Sequence, residues 1–203
     1  MSVLTTPEAV GAQALDGIEK RLGPYLEGRK FSTEIATTFN FVLFDEFKKL
    51  RECDSGTLDL KPVFVGEYFV DPENPEQTRV YCHQGSEACS PIPITRGVIG
   101  RAVRTGEDQY VPDVREDPEH VGCDPDMEGT ELVLIAWSEP YSSGSHVGCS
   151  VPLGVLDIDL NVTDALAASE RLRLRSVWAK YCTSIFPGEP SFQPQGELFV
   201  AQP

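Results

Sequence analysis

The sequences ACSPIPITRGVIG (residues 88–100), HVGCD (120–124), TELVL (130–134) and GVLDID (154–159) decide the fold of this 203-residue chain. They place two cysteines, one glutamate and two aspartates among glycines and short apolar runs. Short apolar runs bounded by turn residues are typical of strands. We therefore expect the chemistry of the protein between residues 89 and 159, supported by helices before this segment and one helix after it.

The flanking segments have helical periodicity. Ser32 or Thr33 should cap a helix whose apolar residues recur at helical spacing. These residues are Ile35, Phe39, Val42, Leu43, Phe47 and Leu50. An earlier helix should end at Gly23-Pro24, because proline clashes with the preceding turn. Thr163 or Asp164 should cap the last helix, whose candidate core residues are Leu166, Leu172, Leu174, Val177, Trp178 and Ile185.

Between the helices, the spacing of the apolar residues changes to the shorter runs and alternation that are typical of strands. The predicted strands lie within residues 58–70, 78–82, 109–111, 131–137 and 154–160. We also expect a short helix at 97–106 and a hairpin excursion at 139–150. Helices before and after antiparallel strands predict an α+β fold, with a sheet covered by N-terminal and C-terminal helices on one face. The expected boundaries are a helical extension at 1–30, the main domain at 31–186 and a tail at 187–203.

Composition excludes several functions. The formal net charge is −15, so the field of the protein should repel nucleic acid. No apolar run approaches 18 residues, so we expect no membrane span. The N-terminus lacks the features of a signal peptide, and we therefore expect a cytoplasmic protein whose six cysteines are mostly reduced.

Asp157 and Asp159 are the most informative polar residues. Alternating strand side chains put them on one face, with Leu156 and Ile158 on the other. Two arrangements remain open: an edge strand with a wet polar face, or a pocket shared with Glu131. Three carboxylates around one pocket would suit an ammonium group, or keep one carboxyl protonated as a general acid.

Cys123 lies in a long acidic loop and is expected to be accessible, as a reactive thiol must be. Cys89 also lies outside regular structure, and the two could bond only if their Cα atoms approach within about 7 Å. Loop cysteines can equally be incidental, and Cys53, Cys82, Cys149 and Cys182 are interpreted as structural. A zinc site from Cys82-His83, Cys89 and His120-x-x-Cys123 lacks a compact ligand pair, so we expect no metal.

The order and spacing of these motifs resemble a GAF domain. The likeness rests on Gly97-Val98-Ile99-Gly100, Val111-Pro112-Asp113-Val114, Glu131-Leu132-Val133-Leu134 and Gly154-Val155-Leu156-Asp157-Ile158-Asp159. Within that superfamily, the chain is similar to the free methionine-(R)-sulfoxide reductases. Ala88-Cys89-x-x-Ile92-Pro93 resembles their first cysteine motif, and Gly122-Cys123-Asp124 resembles their catalytic one. The fold implied is a GAF-like antiparallel sheet flanked by helices.

The resemblance implies a mechanism for these residues. Cys123 would attack the sulfoxide sulfur, and Cys89 would resolve the product as a disulfide that a thioredoxin-type partner reduces. Glu131, Asp157 and Asp159 would hold the substrate ammonium group or donate the proton. The family further suggests a homodimer and requires no cofactor.

The chain departs from the family pattern at Ile99, where the family carries a third cysteine. The loop between Cys123 and Glu131 is also longer, and residues 139–150 form an insertion. The alternative function is a non-catalytic GAF module that binds a ligand or acts as a sensor.

Overall fold

A computed structural model describes residues 7–28, 32–52, 62–124, 128–138, 142–143, 146–147 and 151–185. It contains four helices within these ranges: α1 (Pro7–Leu26), α2 (Thr33–Glu52), α3 (Gly97–Thr105) and α4 (Ala168–Ile185). The strands in the same ranges are β1 (Pro62–Val70), β2 (Gln77–Gly85), β3 (Ile92–Pro93), β4 (Gln109–Val111), β5 (Thr130–Trp137), β6 (Ser142–Ser143), β7 (His146–Val147) and β8 (Pro152–Leu160).

Six strands form one antiparallel sheet in the order β3-β2-β1-β8-β5-β4. β8 lies at its centre between β1 and β5, so the edge-strand alternative for Asp157 and Asp159 is wrong. β6 and β7 pair as a separate two-stranded hairpin within the excursion at 139–150. The predicted α+β fold with an antiparallel sheet is confirmed.

The two faces of the sheet carry separate apolar clusters. Helices α1, α2 and α4 cover one face, where alternate residues of β5 and β8 such as Leu134, Leu156 and Ile158 meet Phe39 and Trp178. On the other face, α3 packs against β5 and β8. Three helices therefore share one face as expected, while α3 and the loops around it enclose the face that carries Asp157.

Helix α1 continues past the predicted stop. Pro24 lies inside its last turn, and the helix ends at Leu26. Leu26 is buried in the core, and the Tyr25 hydroxyl donates to Thr38 Oγ1 at 3.0 Å, so tertiary contacts hold the turn. Because α1 packs against α2 and α4, it contributes to the same core as the sheet.

Helix α4 begins later than predicted. Ala168 is its first residue, and the Glu170 side chain accepts a hydrogen bond from the Ala167 amide at 2.7 Å. This contact satisfies a backbone donor that a cap at Thr163 or Asp164 was expected to serve. The predicted tail, residues 187–203, lies outside the described residues, and the domain boundaries stay predictions. No helix in the described ranges is long and apolar enough to cross a bilayer.

Candidate functional site

Two neighbouring strands position the three predicted carboxyl groups. Glu131 on β5 lies directly opposite Asp159 on β8, and Asp157 precedes Asp159 by two residues on the same face. One carboxyl oxygen from each residue lies within 4.8 Å of the others. The strand alternation seen in the sequence therefore does gather these side chains in one place.

Burial dominates the electrostatics of this acidic cluster (Glu131, Asp157 and Asp159). Glu131 and Asp157 are each 5% exposed. Burial, followed by the neighbouring charges of Asp159 and Glu131, raises the pKa of Asp157 well above its usual range. The pKa of Asp159 is raised in the same way, by burial and then by Glu131 and Asp124. Like charges opposite each other on adjacent strands repel, so a cationic group or a proton would stabilise the cluster.

Hydrogen bonding within the acidic cluster is uneven. Oδ1 of Asp157 and Oδ1 of Asp159 are buried and accept no hydrogen bond from the described part of the chain. In contrast, Glu131 Oε2 lies 2.9 Å from His120 Nδ1. Burial raises the pKa of Glu131, and the contact with His120 opposes that rise. Buried polar atoms are nearly always paired in proteins, so the two unpaired oxygens indicate a place for a ligand.

The acidic cluster forms the floor of a small cavity of about 40 Å³, which has room for a few water molecules. Its other lining residues include Phe64, Tyr68, Ile92, Val98, Ile99, His120 and Cys123. Rings and aliphatic groups thus surround a polar floor, as is common in sites for small molecules. Ile99, at the position of the family's third cysteine, supplies an apolar part of this wall.

The two predicted reactive cysteines lie together. Cys89 and Cys123 form a disulfide with a Cα–Cα distance of 5.6 Å, although 34 residues separate them in the chain. Cys123 lines the cavity, and Cys89 packs against the apolar cluster on the α3 face. A zinc site that uses both sulfurs is incompatible with this state. Cys182 is buried and Cys82 is partly buried, whereas Cys53 and Cys149 lie outside the described residues.

Helix α3 holds the loop that carries Cys123. Arg101 donates two hydrogen bonds to the Asp117 carboxylate, at 3.1 and 2.5 Å. Arg104 donates to Glu119 at 2.8 Å. These ion pairs fix the loop just before His120, so they help to determine where His120 and Cys123 lie over the acidic cluster.

Sequence reasoning missed two residues of the site. In the sequence, His120 indicates only a possible metal ligand, yet in the structure its ring contacts Glu131. Tyr68 was assigned only to a strand, but it lines the cavity, and burial together with Asp157 and Asp159 raises the pKa of its hydroxyl. The alternation of β1 could have indicated Tyr68, because it points to the same face as Phe64 and Gly66. No local signal indicates the contact of His120, which depends on the path of the loop.

Relatives of known name share parts of this chain. A yeast (Saccharomyces cerevisiae) free methionine-R-sulfoxide reductase is 37% identical over 76 residues, which is 37% of this chain and 37% of the yeast protein. The match thus spans little more than a third of that relative. GAF domain-containing protein A of Dictyostelium discoideum is 35% identical over 122 residues, 58% of this chain and 69% of that protein. No family model matches the chain.

Solved structures agree on the fold. A GAF domain structure superposes with a TM-score of 0.65 at 22% identity, covering 92% of this chain and 93% of the other. The free methionine-R-sulfoxide reductase of Neisseria meningitidis, solved in complex with its substrate, gives 0.62 at 23% identity over 89% and 91% of the two chains. With the long match to the Dictyostelium protein, these likenesses show that the chain belongs to the GAF domain family.

Proposed function

We propose that the protein is a thiol-dependent reductase of free methionine-(R)-sulfoxide or a similar small amino-acid oxide. The observation that carries this proposal is the Cys89–Cys123 disulfide beside a buried acidic cavity. Those relatives that are named free methionine-R-sulfoxide reductases support the same reaction class. The unpaired oxygens of Asp157 and Asp159 suit the ammonium group of a free amino acid, which a sulfoxide inside a protein chain lacks.

The proposed reaction has three steps. The Cys123 thiolate attacks the sulfoxide sulfur, the substrate S–O bond breaks, and the oxygen, with one added proton, remains on Cys123 as a sulfenic acid while methionine leaves. The Cys89 thiol then attacks the Cys123 sulfur, which forms the disulfide and releases water. A dithiol partner of the thioredoxin type becomes oxidised as it reduces that disulfide. Cys123 is thus the nucleophile and Cys89 the resolving thiol.

Location and assembly complete the proposal. A dithiol-dependent cycle requires a reducing compartment, so we place the protein in the cytoplasm. We also propose a homodimer, the state that the family resemblance suggests. Light scattering of the purified protein measures its mass and tests this part independently of turnover.

Turnover of free methionine-(R)-sulfoxide, coupled to thioredoxin, thioredoxin reductase and NADPH, tests the proposal. Wild type should be active, and Cys123→Ser should be inactive. Cys89→Ser should complete one turnover and then stop, because its sulfenic acid is not resolved. Cys82→Ser is a matched control, since Cys82 packs against the helical face of the sheet, away from the cavity.

A thiol count gives a second measurement. After one equivalent of sulfoxide, reduced wild type should lose two thiols, and Cys123→Ser should lose none. No turnover by wild type, or equal turnover by Cys123→Ser, would refute the reductase. The alternative is a GAF module that only binds a ligand, which the Dictyostelium match also supports. It predicts binding of an amino acid that leaves the thiol count unchanged.

A further inference from the structure

His120 lies where the acidic cavity meets an open groove. It lines both, and its side chain is 16% exposed. The remaining residues of the groove are Thr95, Arg96, Gly97, Arg104, Pro118, Glu119 and Val121. The imidazole therefore connects buried Glu131 with a surface that water reaches.

The position of His120 is set by its own backbone. Its amide donates to the Asp117 carbonyl oxygen at 3.1 Å, and the Asp117 carboxylate is held by Arg101. From this turn the ring reaches Glu131 through Nδ1. Its Nε2 lies toward Gly122, 3.6 Å from the point that a Cβ on that glycine would occupy. The ring thus spans the space between Glu131 and the residue before Cys123.

This contact divides the acidic cluster into two parts. Glu131 has a hydrogen-bond partner, while Asp157 and Asp159 each keep an oxygen without one. An incoming ammonium group would satisfy the two unpaired oxygens without breaking an existing bond. Displacing His120 from Glu131 would cost a hydrogen bond, so Glu131 is the less favourable partner for the ammonium group.

We propose that His120 is a positioning residue that reserves Glu131 for proton donation to the sulfoxide oxygen and leaves Asp157 and Asp159 to bind the ammonium group. The inference rests on the proposed reductase function and deepens it. Glu131 gives one proton to the oxygen as the substrate S–O bond breaks. The proton that Cys123 loses passes to water, and Glu131 regains one from water, so protons balance over the cycle.

Other titratable groups lie around this pair and would respond to a change in it. Asp117, Arg101 and Tyr68 interact with Glu131 directly. Asp157 and Asp159 belong to the same acidic cluster, and Asp124 interacts with Asp159. Because all of them remain in a His120 variant, the test compares substitutions at this one position.

The test measures kcat and KM for free methionine-(R)-sulfoxide. His120→Leu should lower kcat about 100-fold, the lower end of general acid catalysis, with KM within about twofold. His120→Asn carries its amide nitrogen as many bonds from the backbone as Nδ1, and it should keep kcat within about fivefold of wild type. His120→Gln carries it one bond farther, and should resemble His120→Leu. Asp157→Asn should instead raise KM about 10- to 100-fold.

A binding measurement separates the possible failures. Calorimetry with L-methionine and the reduced protein should give nearly equal affinity for wild type and His120→Leu. The affinity of Asp157→Asn should be weaker than that of wild type by about 10-fold or more. If His120→Leu loses binding as Asp157→Asn does, or if wild type turns over and His120→Leu keeps its kcat, this inference is overturned. If wild type does not turn over, the proposed function itself falls, and binding of L-methionine without turnover then favours the GAF module that only binds a ligand. Thermal melting of each variant identifies a loss caused by misfolding, which rescue by His120→Asn would also exclude.

Discussion

Replacing Glu67 with glutamine should remove a large part of the pH dependence of stability. Glu67 lies on β1, on the face covered by helices, and is fully buried. It accepts hydrogen bonds from the Tyr181 hydroxyl at 2.9 Å and from Asn40 Nδ2 at 2.5 Å. Burial nonetheless outweighs these bonds and raises the pKa of Glu67 from 4.5 to about 8. The folded protein therefore holds a neutral Glu67 at pH 7.

The sign and size of the effect follow from linkage. The unfolded chain loses this proton near pH 4.5 and the folded chain near pH 8, so the stability contributed by the raised pKa is complete below pH 4.5 and is lost as pH rises to about 8. Each pKa unit corresponds to about 1.4 kcal/mol, which gives a total loss of about 5 kcal/mol. Between pH 6 and pH 9, the loss is about 3 kcal/mol.

Urea unfolding at pH 6 and pH 9, with the disulfide intact, measures this loss. Glutamine is uncharged at both values and retains a carbonyl oxygen for Tyr181 and Asn40. With a slope of about 2 kcal/mol per molar urea, the wild-type midpoint should fall about 1.5 M further between the two pH values than that of Glu67→Gln. Burial, and after it the charge of Glu67, raises the pKa of the Cys182 thiol. The part caused by burial is common to both proteins and cancels in the comparison, while the part caused by Glu67 belongs to the effect being measured.

An exposed carboxyl provides the control. Glu76 lies on the surface near the β1–β2 turn, and Glu76→Gln should shift with pH as wild type does. Turnover by Glu67→Gln should be unchanged, because Glu67 lies on the face of the sheet opposite the cavity. If Glu67→Gln loses as much stability as wild type between pH 6 and pH 9, then Glu67 is ionised in the folded protein and the reasoning is refuted.

Two further predictions concern the loop before Cys123 and one glycine. Arg101→Met should destabilise the fold by about 2 kcal/mol, because it leaves the largely buried Asp117 carboxylate without its cation. Limited proteolysis should then cut the loop before Cys123 faster than in wild type. An unchanged cutting rate would contradict the role given to this ion pair. Gly106→Ala should lower stability by about 3 kcal/mol in urea unfolding, because Gly106 has φ +69° and a Cβ there would collide with the Trp137 ring. In the comparison variant Gly23→Ala, in helix α1, the new Cβ meets no atom within 4 Å apart from its chain neighbours. Its gain in helix propensity is opposed by the contact of the new Cβ with Pro24, so stability should change by less than about 1 kcal/mol. Equal effects of the two substitutions would count against the steric argument.

The sequence predicted the parts of the site that depend on local periodicity. Strand alternation is a property of the backbone, so Asp157 and Asp159 had to share a face wherever β8 lay. Whether that face was wet or enclosed depended on the neighbours of β8, which are set by pairing with β1 and β5, segments tens of residues away. Periodicity carries no information about the order of strands in the sheet, so the sequence alone does not distinguish an edge position for β8 from the central one that the structure shows.

Helix α4 shows the same limit on a smaller scale. Leu172 was grouped with Leu174 and Trp178 because all are apolar, but it is 62% exposed while the other two are fully buried. Two residues correspond to about 200° around a helix, so Leu172 and Leu174 point in nearly opposite directions. The apolar side chain of Leu172 favours a core position, but its direction around the helix places it on the exposed side.

The buried carboxyl groups on the two faces of the central strands differ in their hydrogen bonding. Glu67, toward the helices, is neutral at pH 7 and receives hydrogen bonds from Tyr181 and Asn40, so burial leaves its oxygens paired. Asp157, on the other face of the sheet, is also buried, but one of its oxygens has no hydrogen-bond partner and its neighbours are acidic. A purely structural role would favour the first arrangement, because an unpaired buried acceptor costs about 1–3 kcal/mol and gives nothing back to the fold. On the helical face, Asn40 Oδ1 and Trp178 Nε1 also lack a hydrogen-bond partner among the described residues. The two carboxylate oxygens differ from these because they belong to one acidic cluster beside the cavity that Cys123 lines, where a single cationic ligand would pair with both. The two unpaired carboxylate oxygens are therefore a stronger argument for ligand binding at this site than the hydrogen bonds that its residues already make.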